Sequence, residues 1–192
     1  MFWYEKILNK QTDFERISFQ YPILKWLEDY SQRKVYNLFS YNKEIGSLRW
    51  ENRHDSFAYG DICGNKYFLD KKGLLKPHIL IREAKKPESF SELYYRNKTN
   101  TGELKLLDGQ IVKWRRKNSW KNEWEFLDTA SEDKNKKVIA SFTSITSFVK
   151  SGCIVKIHDL ELNNEILSKM ILLGMYFIAT AVDDNMTSIS LD

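Results

Sequence analysis

NEILSKMILLGMYFIATAVDD, residues 164–184, is the one strongly apolar block in a chain of 192 residues. Between Met170 and Val182 there is no charge, and Met170, Ile171, Leu172, Leu173, Met175, Tyr176, Phe177, Ile178 and Val182 leave no polar face at a helical period. A helix that is apolar all round is enclosed either by protein or by lipid. A membrane span needs about 20 predominantly apolar residues, and runs of about 10–14 are more often buried core helices. Lys169 and the Asp183-Asp184 pair bracket a run on the short side. The expectation is therefore a helix enclosed by the rest of the chain, with a membrane anchor as the competing reading.

What encloses it is read from the preceding residues. From Val35 onward the apolar period is two, interrupted by turn residues at short intervals, which is the signature of a many-stranded β domain. Val35–Tyr41 pairs with Glu44–Trp50, and Ser56–Ile62 with Asn65–Asp70 across Cys63-Gly64. His78–Glu83 alternates, Lys85–Ser89 reads as a surface loop, and Leu93–Arg96 and Glu103–Leu107 flank a polar turn. Asp108-Gly109 predicts a two-residue hairpin loop, because both residues tolerate φ > 0, and it joins Leu104–Leu107 to Gln110–Trp114. Glu123–Asp128 places Trp124 and Phe126 on one face; Lys137–Phe142 and Gly152–His158 complete the set. Aromatic residues make up 14% of the chain, a bias that favours strands. Residues 1–38 are ambiguous: Phe2–Leu8 reads as a strand, and Tyr21–Tyr30 as a helix with Pro22 in its first turn. No linker rich in Pro, Gly or Ser divides the sequence, so the whole of 1–192 reads as a single domain.

About ten short antiparallel strands followed by an apolar C-terminal helix is an uncommon order. It resembles the tubby C-terminal-like superfamily, which includes tubby domains, LURP-one-related proteins and phospholipid scramblases. The resemblance is carried by the hairpin Leu107–Arg115, by Glu123–Asp128 with Val138–Phe142, and by Gly152–Ile157, an acidic link and the helix Ile166–Asp183. It covers about residues 35 to 184 and is architectural. What it implies is a mainly β fold, a closed antiparallel barrel of about twelve strands around the buried helix. It also implies a non-enzymatic module that binds phosphoinositide or another anionic phospholipid headgroup, with no pocket residue carried over position by position.

The residues themselves bear on that function. Net charge is only +4, but residues 71–121 hold fourteen Lys and Arg against five Asp and Glu, a local balance of +9. Such a middle suits an anionic partner. Its densest part is Lys113-Trp114-Arg115-Arg116-Lys117-Asn118-Ser119-Trp120-Lys121. Arginine forks suit phosphate, and tryptophan suits a membrane interface. Lys113, Arg115, Arg116 and Lys117 are the candidate ligand-binding residues. In a strand, Lys113, Arg115 and Lys117 share the solvent face while Trp114 points inward. The competing reading is a structural or protein-interaction domain in which this stretch is only a solvated face.

Catalysis has little support. His54, His78 and His158 belong to no HExxH arrangement, no Gly-x-Ser-x-Gly occurs, and there is no glycine-rich phosphate loop. No enzyme activity, cofactor or metal is expected, and nucleic acid is an unfavoured partner beside an anionic phospholipid, a membrane surface or another protein. Cys63 and Cys153 are far apart and suit small core positions in a reducing cytosol, with one disulfide as the alternative. The expected location is cytoplasmic, peripheral to a membrane. The acidic segment 158–165 reads as cap and first turn of the helix, with Asn163 and Asn164 as cap residues and Glu165 favoured by the helix dipole.

Overall fold

The structure, a computed structural model, describes residues 22–189 apart from 30, 33, 52–55, 74–76, 97–100, 107–108, 119, 130–136 and 147–150; of 87, 89, 146 and 181–189 it describes the backbone only. Alternation decides which side chains turn inward. Leu24 and Trp26, Tyr36 and Leu38, Tyr67 and Leu69, Ile79 and Ile81, and Val112 and Trp114 are each buried at i and i+2, as a strand with one dry face requires. Among the described residues there are twelve strands: β1 (Ile23–Glu28), β2 (Val35–Ser40), β3 (Lys43–Trp50), β4 (Phe57–Ile62), β5 (Asn65–Lys72), β6 (His78–Glu83), β7 (Lys86–Arg96), β8 (Thr101–Lys105), β9 (Ile111–Asn118), β10 (Glu123–Asp128), β11 (Val138–Thr146) and β12 (Ser151–Ile157). Each is antiparallel to its sequence neighbours, and β12 pairs back onto β1 through Ile23↔Lys156 to Leu27↔Gly152. The sheet is thus a closed up-and-down barrel with no free edge.

Among the described residues one helix follows, α1 (Asn164–Ile189), and its stretch Leu167–Ala179 lies inside the barrel. Leu167 to Leu173, Met175 and Tyr176 are all nearly inaccessible to water. Their partners come from different sides of the ring. Tyr176 stacks on Trp50 of β3, with ring centroids 5.3 Å apart. Phe177 meets Tyr95 of β7 and Trp114 of β9 at 4.9 and 5.5 Å. Leu172 fills the space over Gly60 in β4, where an added Cβ would come within 2.6 Å of it, and Gly174 lies against the Phe142 ring of β11. A helix touching β3, β4, β7, β9 and β11 together can only be in the lumen. The enclosed-helix expectation and the closed twelve-stranded barrel both hold.

Entry of α1 into the barrel is fixed by polar groups. Asn163 Oδ1 accepts the Glu165 N–H at 2.7 Å, the capping geometry expected for this segment. Lys169 is buried, and its Nζ donates to Glu165 Oε1 at 2.7 Å. Glu165 Oε2 lies 3.4 Å from Nζ of Lys86 in β7, which also stands 3.7 Å from Glu83 Oε2 of β6. This chain of charges ties the first turn of the helix to the β6–β7 turn.

Several local expectations change. The helix expected over Tyr21–Tyr30 is instead β1: Leu24 and Trp26 face the core at period two, and Pro22 stands just before the strand, where its missing N–H costs nothing and its carbonyl accepts the Ile157 N–H at 2.7 Å. Residues from Ile23 onward therefore complete the barrel. The strand expected at Phe2–Leu8 lies outside the described residues. Lys85–Ser89 is not a loop, because β7 begins at Lys86. Register there passes from Arg82↔Phe90 to Glu83↔Lys86, leaving 87–89 bulged out of the ladder, the one setting in which Pro87 needs no donor. Of the expected Asp108-Gly109 turn, Asp108 lies outside the described residues. Gly109 takes the left-handed conformation at φ +83° and its N–H donates to Leu106 O at 3.1 Å, while Leu106 N–H donates to Gln110 O at 2.9 Å, so the hairpin closes on Leu106 and Gln110 rather than on Leu107 and Gln110. Cys63 and Gly64, at φ +52° and +78°, do form the expected two-residue hairpin loop.

Two substitutions test the packing. Leu173→Asp places a carboxylate at a position of α1 that is fully buried, a cost of several kcal/mol, and is expected to abolish cooperative unfolding of a domain whose total stability is about 5–15 kcal/mol. A folded Leu173→Asp barrel by circular dichroism would contradict the lumenal helix. Gly174→Ala gains up to about 1 kcal/mol of helix propensity but overpacks against Phe142, costing about 1–3 kcal/mol. Net destabilisation is expected in urea titrations, and it should shrink when Phe142→Leu withdraws the ring edge.

Candidate anion-binding face

β9 carries the alternation that builds the face. Val112 and Trp114 are buried, so Lys113, Arg115 and Lys117 point outward, with side chains 43%, 52% and 55% exposed. This is the arrangement expected from the sequence for these three. Pairing then decides what they meet. Glu125 of β10 stands opposite Arg115 in the register, on the same outer face, and its side chain is only 1% exposed because the two cations lie over it. Arg115 donates through Nε and Nη2 to the single oxygen Oε1, at 2.8 and 2.6 Å. Lys117 Nζ stands 3.7 Å from Oε2, which accepts no hydrogen bond among the described residues. Lys113 is paired more loosely with Glu103 of β8, at 3.8 Å.

Arg116 is separated from the other three. Its register partner is Trp124, and its guanidinium lies 5.3 Å from the centre of that ring. It also donates to Asn122 Oδ1 at 2.8 Å. The quartet Lys113, Arg115, Arg116, Lys117 is therefore divided: three cations on the outer face and one bracing the β9–β10 turn.

That turn is tightly held. Asn118 Oδ1 accepts the N–H groups of Trp120 and Lys121 at 3.0 and 3.2 Å, the side-chain mimic of a backbone turn. Asn122 takes the left-handed conformation at φ +48°, and its carbonyl accepts the Ser144 N–H of β11 at 3.0 Å. Held by these bonds, Trp120 projects from the turn with 96% of its surface exposed.

Elsewhere two of the histidines and several carboxylates are engaged in structure. His158 Nε2 lies 2.9 Å from Ser141 Oγ, and His78 Nε2 3.5 Å from Glu92. His54 is outside the described residues. Lys137 holds Asp159 at 2.7 Å and keeps its carboxyl below the usual carboxylate range; Lys169 does the same for Glu165. Both thiols are free: Cys153 is buried, as a core residue would be, while Cys63 is half-buried in the β4–β5 turn, and burial pushes both thiols up. Among the described residues no three His, Cys, Asp or Glu side chains gather as metal ligands, and no helix is long and apolar enough to cross a membrane. Comparison of the chain with protein-family models, with curated proteins and with solved structures finds no match.

Sequence reasoning missed Glu125 and the exposure of Trp120. Glu125 was recoverable in part, since Trp124 and Phe126 inward force Glu125 outward, but its place beneath Arg115 depends on the β9–β10 register. Trp120 stood in the basic stretch that the sequence singled out, but its exposure depends on how the turn after Asn118 is hydrogen-bonded.

The buried carboxylate separates the roles of the cations. Arg115→Ala leaves Glu125 without its two charged hydrogen bonds, at about 1.5–3 kcal/mol, whereas Lys117→Ala, which removes a half-exposed ammonium 3.7 Å from that carboxylate and no hydrogen bond, costs below about 1 kcal/mol. Equal losses in urea titrations would contradict this. Acid should act through Glu165 and Asp159. Both are depressed on folding, so their contribution is complete above their ordinary values of 4.5 and 3.8 and is lost as pH falls through the lowered ones. Melting temperature is expected to drop below about that range, and Glu165→Gln to be less stable near neutrality with a shallower acid decline.

Proposed function

We propose that this chain is a non-enzymatic binding module for anionic phospholipid headgroups, of the tubby C-terminal-like kind, that engages them through the outer face of β9. The observation that carries the reading is the sharing of one buried carboxylate by two exposed cations. Glu125 neutralises at most one of Arg115 and Lys117, and it lies beneath both, so the surface presented to solvent is positive. Arg115 is held in a fixed orientation by two bonds to one oxygen, and its Nη1 takes no part in that pair. A guanidinium fixed before binding loses less conformational freedom on meeting a phosphate. The architectural resemblance supports the same reading, since a closed barrel of about twelve strands around an apolar helix is what it implies.

Flotation with phosphoinositide-containing vesicles tests this. Binding is expected to rise with anionic lipid and to weaken at high salt, as surface charge is screened within about 8–10 Å. The double variant Lys113→Ala, Lys117→Ala spares the Arg115–Glu125 pair and is expected to reduce binding by about 1 kcal/mol per lysine near the surface. Vesicle binding that ignores both salt and these lysines would overturn the proposal.

A further inference from the structure

An exposed tryptophan on a mobile tip has an ordinary explanation, since the ring can fold back on the surface part of the time. The backbone at Trp120 is instead held by hydrogen bonds. Asn118 fixes its N–H, Arg116 and Ser144 fix the Asn122 that follows, and the ring nevertheless stands 96% in water. The other described tryptophans behave differently: Trp26, Trp50 and Trp114 are buried, and Trp124 is covered by Arg116 and packs on the core. Holding a large apolar ring in water is unfavourable, and the built turn does so with four hydrogen bonds.

The surroundings of the ring select its partner. Lys121 is exposed in the same turn, and Lys117 stands 55% exposed one residue before Asn118. A tryptophan flanked by lysines matches the water–lipid boundary of an anionic bilayer, where the indole sits at headgroup level and ammonium groups meet phosphates. It does not match the apolar centre of a protein interface, which is depleted of lysine. The turn also lies at the barrel end toward which α1 runs: strand direction puts it with the β3–β4 connection, where the Tyr176 hydroxyl donates to Ser56 O at 2.8 Å.

We infer that Trp120 is a membrane-inserting residue, which seats the β9–β10 corner of the barrel on an anionic bilayer with Lys117 and Lys121 on the phosphates. The inference rests on the headgroup reading of β9 and adds the depth and orientation of docking. Its test uses the full chain and vesicles of phosphatidylcholine with phosphoinositide, with and without bromine on the acyl chains. Trp120→Ala is expected to weaken partitioning about tenfold, the consequence of losing roughly half the burial of a large side chain, and Trp120→Phe much less. Brominated lipid should quench wild-type fluorescence more than that of Trp120→Phe, since the core tryptophans are shielded. Unchanged melting temperatures in both variants would attribute the loss to docking. If wild type binds in a salt-sensitive way while Trp120→Ala binds equally well and bromine makes no difference, insertion is overturned and the headgroup reading survives. If wild type binds no anionic vesicle, the headgroup reading fails and the insertion with it.

Discussion

The packing of α1 inside the closed sheet is the constraint on which the rest of the structure depends. A barrel of about eight strands can be filled by its own side chains, and one of about sixteen leaves a channel. Twelve strands leave a space that the inward rows cannot close and that a helix of about 10–12 Å overall diameter can. Inward residues such as Trp50, Gly60, Trp114 and Phe142 are thereby fitted to two surfaces at once, the neighbouring strands and the helix. Gly60 faces Leu172 and Gly174 faces Phe142, small against large; Trp50 with Tyr176 and Trp114 with Phe177 stack where the separation is wider. Charge fixes the entry end of α1, where Glu165 is paired with Lys169 and with Lys86 of β7, and the stretch Met170–Ile178 that follows is apolar and aromatic.

Closure also determines where function can reside. Each strand is paired on both sides, so the ladder offers no edge for adding a partner strand. The interior is occupied by the helix. Among the described residues what remains is the outward row of each strand and the turns at the two ends, and there β9 with its following turn differs in combining cations, a buried counter-charge and an exposed ring. The same alternation that sends Trp114 into the core sends Lys113, Arg115 and Lys117 outward, so this surface is a direct consequence of the packing within.

How much of this the sequence disclosed depended on whether one local signal acted alone. The β4–β5 hairpin and β6 were legible because period and turn chemistry agreed. The apolar run of α1 was legible because no solvated face competes with burial over Met170–Tyr176. β1 was obscured, because Leu24, Leu27 and Tyr30 imitate a helical period and Pro22 imitates a first helical turn, while the decisive evidence, pairing with β12, is 125 or more residues away in the chain. Pro87 suggested a loop because a bulge that tolerates it has no signature of its own. At the candidate site the cations were visible and their partners were not: Glu103 and Glu125 acquire meaning only from registers.

Glu125 also sets the character of any anion binding on this face. A phosphate approaching Arg115 and Lys117 meets cations already partly satisfied by an internal carboxylate, so the gain on binding is a difference between two similar charge-assisted contacts rather than the whole of one. Without Glu125, however, two cations on alternate residues of one strand would repel each other and hold no fixed orientation. The arrangement therefore exchanges strength of attraction for geometry. A face that is individually weak and geometrically fixed is suited to a surface presenting many headgroups, where several modest contacts act together, and the apolar contact we propose for Trp120 would add a contribution that salt does not screen.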